Sequence, residues 1–499
     1  MADDENAKEE GGGKAPEEPP PHHEEAFAES THEVVIAGTN VPYRATAGRM
    51  ILKEEEGKKQ ASVFFVAYTR SDATDASKRP IVFAFNGGPG SSSVWLHLGS
   101  LGPRRVEMTD EGMPYPPPGS LTDNADSLLD VADLVFVDPV STGYSRAIPE
   151  DESKAFHHFT RDIESVGEFI RLYLTRYGRW QSPKFLAGES YGTMRAAGVS
   201  GHLYQRHGVT FNGLLLISSI LNYQTSSFDK ETMTFVRGND LPYVLFLPTY
   251  AATAWYHGRL NDHYQSMTVT ELLNEVEEWA ATEYTLALME GTALDSQRFS
   301  AVAERLALYT GLDTDYLRRT DLRIEILWFC KELLRDERLT VGRIDSRYTG
   351  VDRFAEGQAI ESDPSMNATK GAYTATLNHY LRQELRYESD LPYEVLSMKT
   401  NQAWDFEDFK NSFVDTSETL RATMAANRFL KIFVANGYYD LATPHFATQY
   451  TFNHMGLTRS QRENVTMAYY EAGHMMYVHA PSRAKLADDM RRFVRAASQ

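Results

Sequence analysis

The sequence predicts an α/β protein in which a mostly parallel central sheet has helices on both faces and carries an inserted helical cap. Three observations lead to this prediction: apolar runs alternate with amphipathic segments, a central block differs in character, and a Gly-x-Ser-x-Gly motif joins a strand pattern to a helix pattern. Alternating strands and helices are typical of parallel sheets that are covered on both sides. The length of 499 residues exceeds what one hydrophobic core usually supports, which favours a large domain with an insertion.

The chain begins with an acidic segment that we expect to be a disordered tail over residues 1–32. Its first 30 residues hold ten acidic side chains against two lysines, together with runs of three glycines and three prolines. A segment of this composition buries too little apolar surface to offset the entropy lost on ordering. We therefore expect this tail to be a linker without chemistry.

The first half of the α/β core is predicted over residues 33–223. Residues 33–70 alternate short apolar runs with turn-forming stretches, which indicates antiparallel hairpins that lead into the sheet. The runs at residues 81–85, 133–137 and 213–217 are typical of fully buried strands. Between them, residues 160–177 carry apolar side chains at helical spacing, which predicts an amphipathic helix.

The central block, residues 224–397, is predicted to be a helical cap. It contains aromatic-rich, helix-like segments and few strand patterns. A helical insertion at this point of an α/β sheet lies over the strand ends, where ligands bind. Buried-strand patterns return at residues 431–435 and 465–470, and residues 482–496 predict a final helix, so the second half of the core is assigned to residues 398–499.

A nucleophilic serine is predicted within the motif that spans residues 188–192. Ser190 follows a short apolar run and precedes a helix-tolerant segment, the setting that exposes a serine on a tight strand-to-helix turn. In the α/β-hydrolase order the acid and then the histidine follow the serine. Asp440 and His474 each follow one of the two later strands, so all three side chains are expected at the same edge of the sheet. Asp440 alone would also fit an ordinary turn aspartate.

A glycine-rich run directly after an early strand is the remaining chemical signal. Residues 86–90 read Asn-Gly-Gly-Pro-Gly, a position that matches the loop supplying an oxyanion-hole amide in lipases and esterases. The run lacks the Lys-Ser or Lys-Thr of a phosphate loop and a complete G-x-G-x-x-G. Because the sequence also lacks His-Glu-x-x-His and paired Cys-x-x-Cys motifs, we expect no metal and no cofactor.

Composition narrows the partners and the compartment. A net charge of −19 argues against nucleic acid or an anionic membrane surface as a partner. No apolar run approaches the ~20 residues that span a bilayer. The single cysteine, Cys330, excludes an intramolecular disulfide and lies in an apolar stretch typical of a buried structural residue. The acidic, proline-rich start resembles a mature N-terminus whose signal was replaced by methionine, which favours a periplasmic or secreted protein over a cytoplasmic one.

These motifs resemble the signatures of the serine carboxypeptidase family. The resemblance covers residues 81–222 and 431–479. It rests on Asn-Gly-Gly-Pro-Gly at 86–90, Val-Asp-Pro-Val-Ser-Thr-Gly-Tyr-Ser at 137–145, Gly-Glu-Ser-Tyr-Gly at 188–192, Asp-x-x-x-Pro at 440–444 and Gly-His-Met at 473–475. The family implies an α/β-hydrolase fold and the removal of single residues from the C-termini of peptides or proteins.

The resemblance also implies roles for the residues of the predicted triad. Ser190 would be the nucleophile, His474 the general base and Asp440 the group that orients the histidine. The backbone amides of Gly88 and Tyr191 would hold the oxyanion of the tetrahedral intermediate.

Three further residues would bind the terminal carboxylate of the substrate: Asn86, Gly87 and Glu189. A protonated Glu189 donates a hydrogen bond to that carboxylate whereas an ionised one repels it, so binding should weaken as the pH rises. The family usually has a second glutamate at the position of Ser100, so the carboxylate pair is incomplete here.

Two other departures concern cysteine. Ser91 replaces the cysteine that commonly follows Gly-Pro-Gly, and the disulfides of secreted eukaryotic members are missing, which points to a bacterial-type branch. Two alternatives stay open at this stage. One is an esterase, acyltransferase or other hydrolase on the same scaffold, and the other is a binding protein that kept the fold.

Overall fold

A computed structural model describes residues 21–226, 232 and 234–499. The strands in these residues are, in chain order, β1 (Ala26–Ile36), β2 (Thr39–Lys53), β3 (Lys59–Arg70), β4 (Ile81–Phe85), β5 (Arg104–Val106), β6 (Leu121–Asp123), β7 (Asp133–Val137), β8 (Arg146–Ala147), β9 (Lys184–Ser190), β10 (Gly213–Ser219), β11 (Thr340–Val341), β12 (Thr349–Gly350), β13 (Lys431–Gly437) and β14 (Val465–Tyr470).

The described helices are α1 (Val94–Leu96), α2 (Phe159–Arg176), α3 (Tyr191–His207), α4 (Leu241–Tyr256), α5 (Asp262–Gln265), α6 (Val269–Trp279), α7 (Thr285–Glu290), α8 (Ser296–Thr310), α9 (Thr314–Arg319), α10 (Ile326–Glu332), α11 (Pro364–His379), α12 (Met398–Gln402), α13 (Ser417–Ala426), α14 (His445–His454), α15 (Arg459–Arg462) and α16 (Ala480–Ala497). Among these helices, none has both the length and the apolar character that a bilayer crossing requires.

The main sheet has the strand order β1-β2-β3-β7-β4-β9-β10-β13-β14, and β8 pairs with β3. The strands β1 to β3 pair antiparallel, and β3 also pairs antiparallel with β7. The six strands from β7 to β14 are parallel to their neighbours. Central strands such as β4 are buried along their whole length, because helices cover both faces.

Two hydrophobic clusters lie on the opposite faces of this sheet. One includes apolar side chains from α11 and α16, and the other includes side chains from α2, α3, α13 and α14. This arrangement confirms the predicted α/β-hydrolase architecture, a mostly parallel sheet between helical layers. The carboxyl ends of β9, β10, β13 and β14 consequently lie side by side along one edge.

The expected N-terminal tail ends earlier than the sequence suggested. Residues 1–20 lie outside the described residues, but residues 26–32 belong to β1 and pair in register with residues 43–49 of β2. Ala26 and Ala28 face the core cluster, whereas Phe27 and Glu29 point outward. Composition alone did not reveal this strand. The strand has little apolar content of its own and is stabilised by its pairing with β2.

The segment predicted as a cap, residues 224–397, packs into two different hydrophobic cores. A separate hydrophobic cluster draws its members from residues 235–341, which contain α4 to α10, and from Leu441. Helix α11 falls within the predicted cap but places Tyr373 and Leu377 in a cluster on the sheet. The cap cluster proper therefore ends before α11. Helical periodicity identifies a buried face without telling which core that face packs against.

Candidate active site

Ser190 occupies a strained turn between β9 and α3. Its backbone has φ 61° and ψ −131°, a conformation that non-glycine residues rarely adopt. A Cβ on Gly188 would lie 2.1 Å from the carbonyl oxygen of Gly192, and one on Gly192 would lie 2.9 Å from the carbonyl oxygen of Phe85. Both glycines are therefore needed for the backbone to fold this tightly. The tight strand-to-helix turn predicted around Ser190, here called the elbow, is present.

His474 and Asp440 lie in loops that follow β14 and β13, respectively. The Nδ1 atom of His474 is 2.7 Å from Oδ2 of Asp440. The other carboxylate oxygen accepts hydrogen bonds from the amides of Ala442 and Thr443 at 2.8 and 2.9 Å, and the Thr443 hydroxyl donates to Oδ2 at 2.7 Å. These partners fix the buried carboxylate beside the imidazole. The arrangement directs Nε2 of His474 away from Asp440 and leaves it available as an acceptor.

The charge state of His474 reflects two opposing effects. Burial disfavours the protonated ring, but the adjacent Asp440 carboxylate outweighs burial and raises the pKa of His474 above its ordinary value. The hydroxyl of Ser218, at the end of β10, donates to the carbonyl oxygen of His474 at 2.7 Å. The next residue, Ser219, is the Cα partner of Ser190 in the sheet register.

Asp440 and His474 are in contact, and their loops follow β13 and β14 at the edge of the sheet where Ser190 ends β9. In the described part of the chain, His474 makes a hydrogen bond with Asp440 but none with Ser190. The serine and histidine are joined indirectly, through the end of β10. Catalytic hydrogen bonds often tighten only when substrate is bound.

The glycine-rich loop after β4 rests on the elbow. A Cβ on Gly87 would lie 2.5 Å from the amide nitrogen of Tyr191 and 2.6 Å from that of Gly192. Gly88 has φ 103°, which favours glycine, and a Cβ there would lie 2.8 Å from the amide of Gly90. The segments that carry the predicted oxyanion donors, Gly88 and Tyr191, are therefore in contact.

Glu189 is a buried carboxyl group directly before Ser190, only 3% exposed. The Asn86 side-chain amide donates to its Oε1 at 2.9 Å, and the Tyr477 hydroxyl donates to its Oε2 at 2.7 Å. Burial raises the pKa of Glu189 to about 7, against the opposing effects of His474 and the Tyr477 hydrogen bond. This carboxyl group can therefore change its charge near neutral pH.

Tyr477 is the residue at this site that sequence reasoning missed. The only feature of the sequence that could have pointed to Tyr477 is its position three residues after His474. No motif distinguishes it from a tyrosine of the hydrophobic core. A Cβ on Gly99 would lie 2.4 Å from its ring, so the ring packs against the turn that carries Ser100. Tyr477 thus supplies a hydrogen bond to Glu189 beside the turn of Ser100, where the resemblance implies a second glutamate.

A buried ion pair holds together the loop after β4 and the turn at Ser190. The Nε of Arg195 donates to Asp162 at 2.8 Å, and another guanidinium nitrogen donates to the carbonyl oxygen of Asn86 at 2.5 Å. The Tyr191 hydroxyl also donates to Asp162, at 3.2 Å. Arg195 is 1% exposed and lies in the helix that follows Ser190, where no feature of the sequence indicated its role. The pair connects α2, α3 and the loop after β4.

Metal ligands do not cluster at this site. Across the described residues, no group of three or more histidine, cysteine, aspartate or glutamate side chains is placed to hold a metal ion. Cys330 is a free, buried thiol in the cap cluster, and burial raises its pKa well above the ordinary value.

A family model and several known proteins match this chain. The family model described as serine carboxypeptidase matches residues 38–480. The pheromone-processing carboxypeptidase KEX1 of Saccharomyces cerevisiae is 32% identical over 164 residues, which cover 31% of this chain and 21% of the relative. The retinoid-inducible serine carboxypeptidase of Mus musculus is 25% identical over 177 residues, covering 34% of this chain and 35% of the relative.

One solved structure resembles the fold along most of its length. The crystal structure of a prohormone-processing carboxypeptidase from Saccharomyces cerevisiae, KEX1(delta)p, has a TM-score of 0.55 and 16% identity, with 90% of this chain and 92% of that chain covered. The sequence matches to the curated relatives span about a fifth to a third of their length. The family model, by contrast, spans both halves of the α/β core and the cap between them. The chain belongs to the serine carboxypeptidase family.

Proposed function

We propose that this protein is a serine carboxypeptidase that removes single residues from peptide C-termini through an acyl-enzyme. Ser190 Oγ attacks the carbonyl carbon of the last peptide bond while His474 Nε2 takes its proton. The amides of Gly88 and Tyr191 stabilise the oxyanion, and Asp440 stabilises the imidazolium. His474 then gives the proton to the leaving amino group. Water hydrolyses the ester by the same route, which restores the serine.

The observation that carries the exopeptidase assignment is the buried Glu189 carboxyl group directly before the nucleophile. In its protonated form it would donate a hydrogen bond to the substrate's terminal carboxylate, together with the Asn86 side chain and the Gly87 backbone. Its contact with Tyr477 at 2.7 Å supports this role, because the phenol holds the carboxyl group in one orientation. An esterase would have no need of a titratable group at this position.

The test begins with the nucleophile. We expect Ser190→Ala to abolish peptide turnover and labelling by a serine-reactive fluorophosphonate while the protein stays folded. The matched control is Ser200→Ala, because Ser200 is a buried serine of α3, the helix that follows Ser190, and among the described residues its hydroxyl bonds only the Ala197 carbonyl, at 2.8 Å. Retained turnover in the Ser190 variant would exclude the triad, and an unlabelled wild-type protein would favour a binding protein.

The second part of the test addresses the substrate class. A peptide library incubated with the protein and followed by mass spectrometry should lose residues one at a time from the C-terminus. Peptides with a free C-terminal carboxylate should have a higher kcat/KM than their amides. Comparable kcat/KM values for the free acids and their amides would contradict the exopeptidase assignment. They would favour an esterase, acyltransferase or other serine hydrolase.

A further inference from the structure

We propose that residues 343–347, here called the clamp segment, position the loops of Asp440 and His474 and couple them to the helical cap. This inference rests on the proposed function, because it assigns a positioning role toward the proposed triad. The clamp segment directly follows β11, between the cap cluster and α11. It contributes no group to the proposed chemistry itself.

The clamp segment holds the Asp440 loop on both sides of the aspartate. The carbonyl oxygen of Arg343 accepts a hydrogen bond from the amide of Leu441 at 3.1 Å. The amide of Ser346 donates to the carbonyl oxygen of Tyr439 at 3.0 Å. The residues immediately before and after Asp440 are therefore fixed to one short piece of backbone.

The same segment holds the His474 loop. The carbonyl oxygen of Ile344 accepts from the amide of His474 at 2.8 Å, and the Asp345 carboxylate accepts from the amide of Gly473 at 3.1 Å. A Cβ on Gly473 would lie 2.4 Å from the Cβ of Asp345, so only glycine allows this approach. Four consecutive residues thus bond the backbone of both catalytic loops.

The Asp345 carboxylate is itself rigidly held. Arg347 donates to it from Nε at 3.0 Å, from a terminal nitrogen at 2.6 Å and from its backbone amide at 3.1 Å. The guanidinium also lies 6.0 Å from the centre of the Tyr439 ring. Both partners of the ion pair are buried, so removing one would leave an uncompensated charge. This bidentate ion pair holds the Asp345 carboxylate in place as the acceptor for the Gly473 amide.

On its other side the clamp segment contacts the cap through Ser346. The hydroxyls of Ser346 and Thr253 are 2.6 Å apart, and Nε2 of His257 is 2.7 Å from the Ser346 carbonyl oxygen. Thr253 lies in α4 and His257 directly follows it. Ser346 therefore joins α4 to the Tyr439 carbonyl, and a displaced α4 would move the loop that carries Asp440.

These contacts imply an effect on chemistry more than on binding. When a substitution far from the chemistry displaces a catalytic group by about 1 Å, the rate can fall on the order of 100-fold. Because the proposed carboxylate-binding residues lie on other elements, we expect loosening of the clamp segment to lower kcat and to leave KM nearly unchanged.

The cap contact is tested with two threonines, of which Thr310 makes no contact with the clamp segment and also accepts from the Leu312 amide at 3.4 Å. Thr253 and Thr310 are both fully buried in the cap, and each hydroxyl donates to the carbonyl four residues earlier, at 2.8 and 2.7 Å. Only Thr253 also contacts Ser346. We expect Thr253→Val and Ser346→Ala to lower kcat about tenfold with KM within about twofold, whereas Thr310→Val stays near the wild type.

The contact with the histidine loop is tested at Asp345. We expect Asp345→Ala to lower kcat about 100-fold and Asp345→Asn to recover part of that loss, because the amide oxygen still accepts from Gly473 while the Arg347 charge stays unpaired. The fall of the fluorophosphonate labelling rate at acid pH reports the protonation of His474. The charged groups around His474 are Asp440, Glu189 and Arg343. In Asp345→Ala this fall in labelling should move at least about half a unit to lower pH, because the imidazolium is less well paired.

Two outcomes would overturn the proposal. The first is an equal loss of kcat in Thr253→Val and Thr310→Val. The second is a pH profile of Asp345→Ala that superimposes on the wild type while labelling falls only in proportion to the folded fraction measured by circular dichroism. If Asp345→Ala does not fold, the threonine pair decides. Absence of wild-type labelling would instead refute the proposed function, and the inference would fall with it.

Discussion

The proposed role of Glu189 predicts that recognition of the substrate's carboxylate depends on pH. Only the protonated carboxyl group donates a hydrogen bond to the substrate's carboxylate, and burial raises the pKa of Glu189 to about 7. Discrimination between a free-acid peptide and its amide should therefore be strongest at acid pH. It should weaken as the pH rises through neutrality.

The size of the effect is set by the fraction of Glu189 that is protonated. With a pKa of about 7, that fraction is about 0.9 at pH 6 and about 0.01 at pH 9. The ratio of kcat/KM for the acid to kcat/KM for the amide should thus fall about 90-fold across this range. Against the effect of burial, the Asp440 carboxylate also raises the pKa of His474, but the protonation of His474 affects both substrates and cancels from the ratio.

The assay compares one N-acetylated peptide with its C-terminal amide between pH 6 and 9. Acetylation removes the N-terminal amine, which would otherwise titrate in the same range. Glu189→Gln is the matched variant, because its amide keeps the shape of the side chain and donates a hydrogen bond at every pH. We expect the ratio for this variant to vary by less than about threefold over the range.

Two results would refute this reasoning. A wild-type ratio that does not change between pH 6 and 9 would mean that Glu189 does not contact the substrate's carboxylate. A Glu189→Gln variant that keeps the full decline would assign the titration to another group. A decline centred well below pH 6 would show that burial raises the pKa less than the structure indicates.

Three further predictions follow from the same contacts. Tyr477→Phe removes a donor that stabilises ionised Glu189, so the decline of the acid-to-amide ratio should shift to higher pH; a shift to lower pH would contradict the contact at 2.7 Å. Arg195→Met leaves Asp162 buried without its partner and should lower the free energy of unfolding by about 3–5 kcal/mol in urea titrations, and a loss below about 1 kcal/mol would contradict the ion pair. Cys330 should react with a thiol reagent only after unfolding, because burial raises the pKa of its thiol, so rapid reaction of the native protein would contradict this placement.

Much of the fold was predictable because its elements carry local patterns. The buried strands at residues 81–85 and 133–137 are continuous apolar runs, and the sheet uses both as parallel strands. The exceptions were β1 and α11. The first owes its order to pairing with β2, and the second packs on the sheet instead of the cap cluster. Neither partner can be identified from the segment's own composition.

The sequence by itself determined the chain order of serine, aspartate and histidine, each after a strand, and the glycines that the elbow requires. These features are local, since a tight turn and a strand end are written in a few adjacent residues. Adjacent parallel strands then bring their carboxyl ends to one edge, so Ser190, Asp440 and His474 could be grouped without knowing the rest of the structure.

Only the tertiary structure decided what surrounds these groups. Tyr477 reaches Glu189 across 288 positions of the chain, and Asp345 reaches Gly473 across 128. Arg195 joins the loop after β4 to α2 in the same way. Each is a polar contact made in a buried setting, where an unpaired group is costly and its partner is whichever side chain folding brings within about 3 Å. Such a partner lies at no characteristic distance along the sequence. The raised pKa of Glu189 and the fixed geometry of the loops that carry Asp440 and His474 therefore arise only with the complete fold.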